Sequence, residues 1–106
     1  MVRGEVVRLT ATRSRGREQR GARPGVVVQA DELLGLSTVV VAPTSRSAAP
    51  ATFRPTIDLG GKQTRVLVDQ VRAIDVQAVT DSVGRLTGAE MASVDDALAL
   101  VLGLPG

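Results

Sequence analysis

Apolar positions along this chain come in short runs, and their spacing changes once, near the C-terminus. Residues 4–10 (GEVVRLT) read as a first strand and 24–29 (PGVVVQ) as a second, because β-branched side chains pack well on a pleated surface. The loop between them is long for a hairpin. Residues 30–37 (ADELLGLS) predict a turn or one helical turn ended by Gly35. Residues 38–45 (TVVVAPTS) predict a third strand stopped at Pro43, its unbroken valines pointing to burial on both faces. Residues 50–59 (PATFRPTIDL) predict a fourth strand with a proline inside it, which belongs at a sheet edge or a bulge because proline donates no ladder bond. A turn at 60–62 leads into a long strand over 64–75 and a short one over 81–86. Short strands separated by turn signals predict a mainly β, β-rich α+β fold, a small twisted antiparallel barrel.

From Thr87 onward the period becomes helical. Thr87 and Glu90 form an S/T-x-x-E capping box, and Met91, Val94, Leu98, Val101 and Leu102 recur at helical spacing up to Gly103. This predicts one amphipathic C-terminal helix. Its stripe serves either as core within the chain, the ordinary use of such a face, or as contact with a second copy.

Length and composition narrow the picture. A chain of 106 residues predicts one domain spanning 1–106 with one core. Phe53 is its sole aromatic residue, so that core must be aliphatic. Cysteine and histidine are both absent, which excludes disulfides, Cys-based zinc sites and any Ser-His-Asp triad, and no metal or other cofactor is expected. No apolar stretch approaches the ~20 residues of a membrane span, so a cytoplasmic protein without membrane contact is expected.

Charge adds the main chemical clue. The net charge is only +2, yet residues 8–23 hold six arginines against the single Glu18. Arginine's planar fork binds phosphate oxygens bidentately. Without His, Tyr or Cys, the available catalytic groups are carboxylates, hydroxyls, arginines and one lysine. Arginine with hydroxyl suits a phosphate substrate. On RNA the nucleophile can be the substrate's own 2′-OH, leaving the protein to neutralise the charge that develops on phosphorus. Arg23 precedes Pro24, which biases it to extended geometry where the loop re-enters the sheet. On spacing alone, Arg23 also reads as a plain strand-opening residue and 43–45 (PTS) as a strand-end turn.

The order of motifs goes further. RGEVV near the start, GREQRGARPGVVVQ after the loop, VVVAPTS at the end of the third strand and LVDQVRAID later resemble the MazF/PemK family of toxin ribonucleases over nearly the whole chain. The G-x-E-Q-x-G-x-R-P block is the most specific part. The resemblance implies an SH3-like barrel and a homodimer. It further implies sequence-selective, metal-independent cleavage of single-stranded RNA, and a MazE-like antitoxin whose tail fills the RNA groove. It places the catalytic pair at Arg23 and Thr44, Arg23 stabilising the phosphate and Thr44 holding it by a hydrogen bond with Ser45 beside it. Glu18 falls at the family's loop glutamate, open between general base and loop anchor. Arg15, Arg17 and Arg20 would follow the RNA backbone, while Gln19, Gln70 and Arg72 are candidates for base-edge or loop-ordering contacts. Asp69 would brace the basic groove.

The chain departs from many relatives in having Val7 and Arg8 where they carry an aromatic, and Ala30 where they carry Asn. The usual stacking platform for bases is therefore missing. Two other readings remain at this level: a CcdB-like poison that binds a protein such as DNA gyrase without catalysis, and a basic module that binds RNA without cutting it.

Overall fold

A computed structural model of the chain describes residues 1–10, 13–14, 17–18 and 23–105, the two middle pairs by their backbone alone. Strands β1 (Glu5–Leu9), β4 (Arg23–Val27), β5 (Thr38–Ser45), β6 (Thr56–Leu59), β7 (Lys62–Val66), β8 (Arg72–Asp75) and β9 (Val79–Arg85) form one curled antiparallel sheet, followed by helix α1 (Gly88–Leu102). Its order is β6-β7-β5-β4-β1-β9, with β8 also on β5. In the arginine-rich loop, β2 (Arg13–Ser14) and β3 (Arg17–Glu18) form a small separate ladder. The strand-rich barrel with a C-terminal helix expected from the spacing is the fold observed.

The spine of the sheet is β5. One side pairs with β4; the other pairs first with β8, from Thr38↔Asp75 to Val41↔Arg72, and then with β7 at Thr44↔Val66 and Ser45↔Arg65. Pro43 does not stop this strand. A residue's N–H and C=O point to the same side of a strand, and the Pro43 carbonyl accepts from Leu67 N–H at 2.8 Å. Its missing donor therefore faces the gap where β5 changes partners, and no regular ladder bond is lost.

The same gap breaks the long strand expected over 64–75. Residues 67–71 lie opposite only 42–43, and the surplus is taken up by a 3-10 turn at Val68–Gln70 that drops Val68, fully buried, into the core. The strand expected over 50–59 is also shorter. Arg54 N–H donates to Ala51 C=O at 3.0 Å in a turn, and pairing begins only at Thr56. β6 is an edge strand with Pro55 immediately before it, in keeping with the position expected of a strand proline. β9 starts at Val79, ahead of the expected position.

Alternating side chains place a cluster on each face of the sheet. Val7, Leu9, Val27, Val39 and Val41 form one. Val6, Val26, Ala42, Ile57, Val66 and Val68 form the other, which α1 covers with Val94 and Ala97. This is the two-faced burial expected of the valine run. At Gly25 a Cβ would lie 2.9 Å from Leu9 Cδ1, so any larger residue there would require the Leu9 side chain to move.

The helix starts as its capping box predicts: Thr87 Oγ1 accepts from Glu90 N–H at 3.1 Å, and Glu90 Oε1 accepts from Thr87 N–H at 2.9 Å. The second oxygen of Glu90 accepts from Asp58 N–H at 2.8 Å and ties the helix to β6. The apolar stripe divides along its length. Met91, Val94 and Leu98 pack inward, whereas Leu100, Val101, Leu102 and Leu104 are exposed. Among the described residues, no helix is long and apolar enough to cross a membrane.

Candidate active site

The β4–β5 register brings the arginine of the loop's end to the hydroxyl of the third strand's end. Arg23 is the first residue of β4, and Gly25↔Pro43 places its neighbour Pro24 beside Thr44. Thr44 is 5% exposed, and its Oγ1 donates to the Pro24 carbonyl at 2.8 Å. Arg23, Pro24, Thr44 and Ser45 share the wall of a cavity of ≈ 500 Å³. Among the predicted residues, these are the ones that the fold gathers.

The rest of the wall was not anticipated from the sequence. Arg46 and Ser47 follow β5, while Leu59, Lys62 and Thr64 come from the β6–β7 hairpin. That hairpin turns through Gly60 and Gly61 at φ of 62° and 82°, the paired left-handed conformation of a two-residue turn. Asp58 Oδ1 secures it by accepting from Gly61 N–H at 2.8 Å. Lys62 is the next residue. Ser45 Oγ accepts from Ser47 N–H at 3.2 Å and Ala48 N–H at 3.1 Å, which fixes the turn carrying Arg46, and it lies 3.5 Å from Ser47 Oγ. Knowing that β7 returns alongside the end of β5 is what would have revealed Lys62 and Thr64, and strand pairing is a long-range property.

The cavity wall thus has three cations, Arg23, Arg46 and Lys62, and no carboxylate. Among the described residues, none of the three forms an ion pair, whereas Arg3, Arg8 and Arg54 pair with Asp95, Asp81 and Asp69. Such a wall attracts an anion. Among the described residues no group of His, Cys, Asp and Glu is arranged to hold a metal ion.

The other predicted residues lie elsewhere. Gln70 sits in the 3-10 turn and Arg72 begins β8, both exposed and neither on the cavity wall. Arg17 and Glu18 are placed by backbone in β3, and Arg15, Gln19 and Arg20 lie outside the described residues. Asp69 grips Arg54 with both oxygens, at 3.1 and 2.9 Å, and Arg54 lies 5.6 Å over the Phe53 ring. The guanidinium holds the Asp69 carboxyl below its ordinary value, and the carboxylate in turn raises Arg54. This pair fastens the β5–β6 loop to the 3-10 turn, outside the cavity wall.

A family model described as the PemK-like, MazF-like toxin of type II toxin-antitoxin systems matches residues 2–102. A putative toxin of Mycobacterium tuberculosis is 44% identical over 106 residues, covering 98% of this chain and 99% of that one. Endoribonuclease MazF9 of the same organism is 33% identical over 117 residues, covering 98% of each. Among solved structures, a mycobacterial endoribonuclease in complex with its cognate antitoxin superposes with a TM-score of 0.79 at 24% identity, covering 100% of this chain and 98% of that one.

Proposed function

Because the chain belongs to the PemK-like, MazF-like toxins of type II toxin-antitoxin systems, we propose that it is an endoribonuclease that cuts single-stranded RNA at the Arg23–Thr44 cavity without a metal ion. The observation that carries this reading is the cavity itself, where Arg23 and the Thr44 hydroxyl meet on a wall with three cations and no carboxylate. Relatives named endoribonuclease support it, and they do not favour a poison that only binds a protein target.

The chemistry follows from the groups present. The 2′-oxygen of the substrate attacks phosphorus, the bond from phosphorus to the 5′-oxygen breaks, and the products end in a 2′,3′-cyclic phosphate and a 5′-OH. Glu18 or solvent takes the 2′-proton, and solvent returns one to the leaving oxygen. Arg23 opposes the charge that accumulates on the phosphorane, an electrostatic stabilisation of the transition state. It serves as a charge, since guanidinium stays protonated. Thr44 holds a phosphate oxygen by turning its hydroxyl away from Pro24. The cuts are sequence-selective. The enzyme acts as a homodimer in the cytoplasm, and a MazE-like antitoxin occupies the same groove.

The test is to incubate the protein with a long single-stranded RNA in excess EDTA, alongside Arg23→Ala, and to map new 5′ ends. Discrete cuts bearing 5′-OH and cyclic phosphate ends, made by the unaltered protein alone, are the expected result. A requirement for Mg²⁺ would overturn the mechanism.

A further inference from the structure

Three positive charges meet in one cavity, but the phosphodiester being cut carries only one negative charge. Arg23, from the start of β4, is matched to it by the ribonuclease reading. Arg46 and Lys62 come from two other places, the turn after β5 and the first residue of β7, and both line the same ≈ 500 Å³ space. Local structure sets each of them: the Ser45 hydroxyl organises the turn around Arg46, and Thr64 Oγ1 donates to the Lys62 carbonyl at 3.2 Å behind the Gly60–Gly61 turn. Both are exposed and neither has an ion partner among the described residues, so their charges are left to meet an anion that enters the cavity.

We propose that Arg46 and Lys62 form a second phosphate subsite, which takes the diester adjoining the scissile one in the RNA chain. The assignment rests on the ribonuclease reading and adds to it a division of labour. Arg23 faces the reacting phosphorus, and the pair from the turn after β5 and the start of β7 holds the neighbouring link so that the strand cannot slide through the cavity. Lysine and arginine differ here in a useful way: the ammonium is a point charge with rotatable donors, while the guanidinium offers a fixed fork. Such a pair tolerates any base, because a phosphate carries no sequence information.

The experiment uses one cleavage site mapped with the unaltered protein. An oligonucleotide spanning that site, with a 2′-deoxy sugar at the cut to stop turnover, is compared with two versions. In each, a neutral methylphosphonate replaces one flanking phosphate, on the 5′ or the 3′ side. The unaltered protein is expected to bind one of these roughly tenfold more weakly, the scale of a lost charge-assisted hydrogen bond. Arg46→Ala and Lys62→Gln, checked for fold by circular dichroism, are expected to bind the fully charged strand more weakly and to lose that discrimination. If neither methylphosphonate weakens the unaltered protein, or if the variants discriminate as well as it does, the subsite is overturned while the cleavage reading stands. If the unaltered protein cuts no RNA at all, the ribonuclease reading falls and the subsite with it.

Discussion

Thr44 has one proton and two claims on it. In the free protein that proton goes to the Pro24 carbonyl at 2.8 Å, so the hydroxyl is also a strut behind Arg23. Thr44→Ser keeps the hydroxyl and is expected to retain cleavage. Thr44→Val keeps the shape but removes the hydroxyl's bond to the Pro24 carbonyl, costing about 1 kcal/mol of stability along with most of the activity. Denaturant midpoints and initial cleavage rates, measured together, separate the two effects. Arg23→Lys is expected to lose most of kcat while folding normally, because an ammonium lacks the fork that spans two phosphate oxygens. Cleavage by Arg23→Lys at an unchanged rate would show that a bare charge suffices. Arg23 and Thr44 were legible in the amino-acid sequence because each sits inside an ordered motif. Arg46 and Lys62 were not, since a lone arginine after PTS and a lone lysine after GG carry no local sign of facing the same space.

Secondary-structure elements hold these residues in place, and two carboxylates do much of the holding. Glu90 spans the helix start and strand β6. Burial alone would push its carboxyl up, but the N–H groups of Thr87 and Asp58 and the Thr87 hydroxyl outweigh that and hold it below its ordinary value. A group lowered in this way contributes stability above the unfolded value, roughly pH 4.3 for glutamate, and loses it as pH falls through the lower folded one. Glu90→Gln can still accept from Thr87 through its carbonyl, but it presents an amide NH₂ to Asp58 N–H. It is expected to cost about 1 kcal/mol at pH 7 and to flatten the acid limb of a stability profile, whereas an unchanged limb would assign that limb to other carboxylates. Asp69 follows the same sign. Its grip on Arg54 is expected to persist to about pH 4 and to fail below its lowered value, visible in the Arg54 Hε resonance. The elements themselves were legible where a local rule applies, as at the capping box, the Gly60–Gly61 turn and the valine run of β5. They were misjudged where a distant partner decides. A period-2 pattern over 64–75 carries no trace of the Pro43 gap that forces the 3-10 turn at Val68–Gln70, and nothing in 50–55 announces the turn closed by Arg54 N–H on the Ala51 carbonyl.

At the scale of the molecule, charge distribution matters more than the net +2. Binding to single-stranded RNA is expected to weaken with salt along a log–log slope of about −0.7 per phosphate neutralised, so removing Arg46 and Lys62 together, and with them one phosphate contact, should flatten it by about 0.7. Fluorescence anisotropy across a salt titration checks this, and an unaltered slope would mean that neither side chain meets a phosphate. The outer end of α1 leaves Leu100, Val101 and Leu102 in water, and the sequence could not distinguish Val101 and Leu102 from core because both uses need the same stripe. The arrangement around β5 has a different kind of consequence, one of timing. A strand paired along one edge with β4 and along the other with β8 and then β7 cannot release its amides by fraying. In deuterated water the amides of Val39 and Val41 should therefore be among the last to exchange, at the rate of whole-molecule opening, and those of edge strand β6 among the first. Thr44 lies on that slowest clock, so the hydroxyl side of the cavity should keep its geometry through any local opening that leaves the rest of the protein folded.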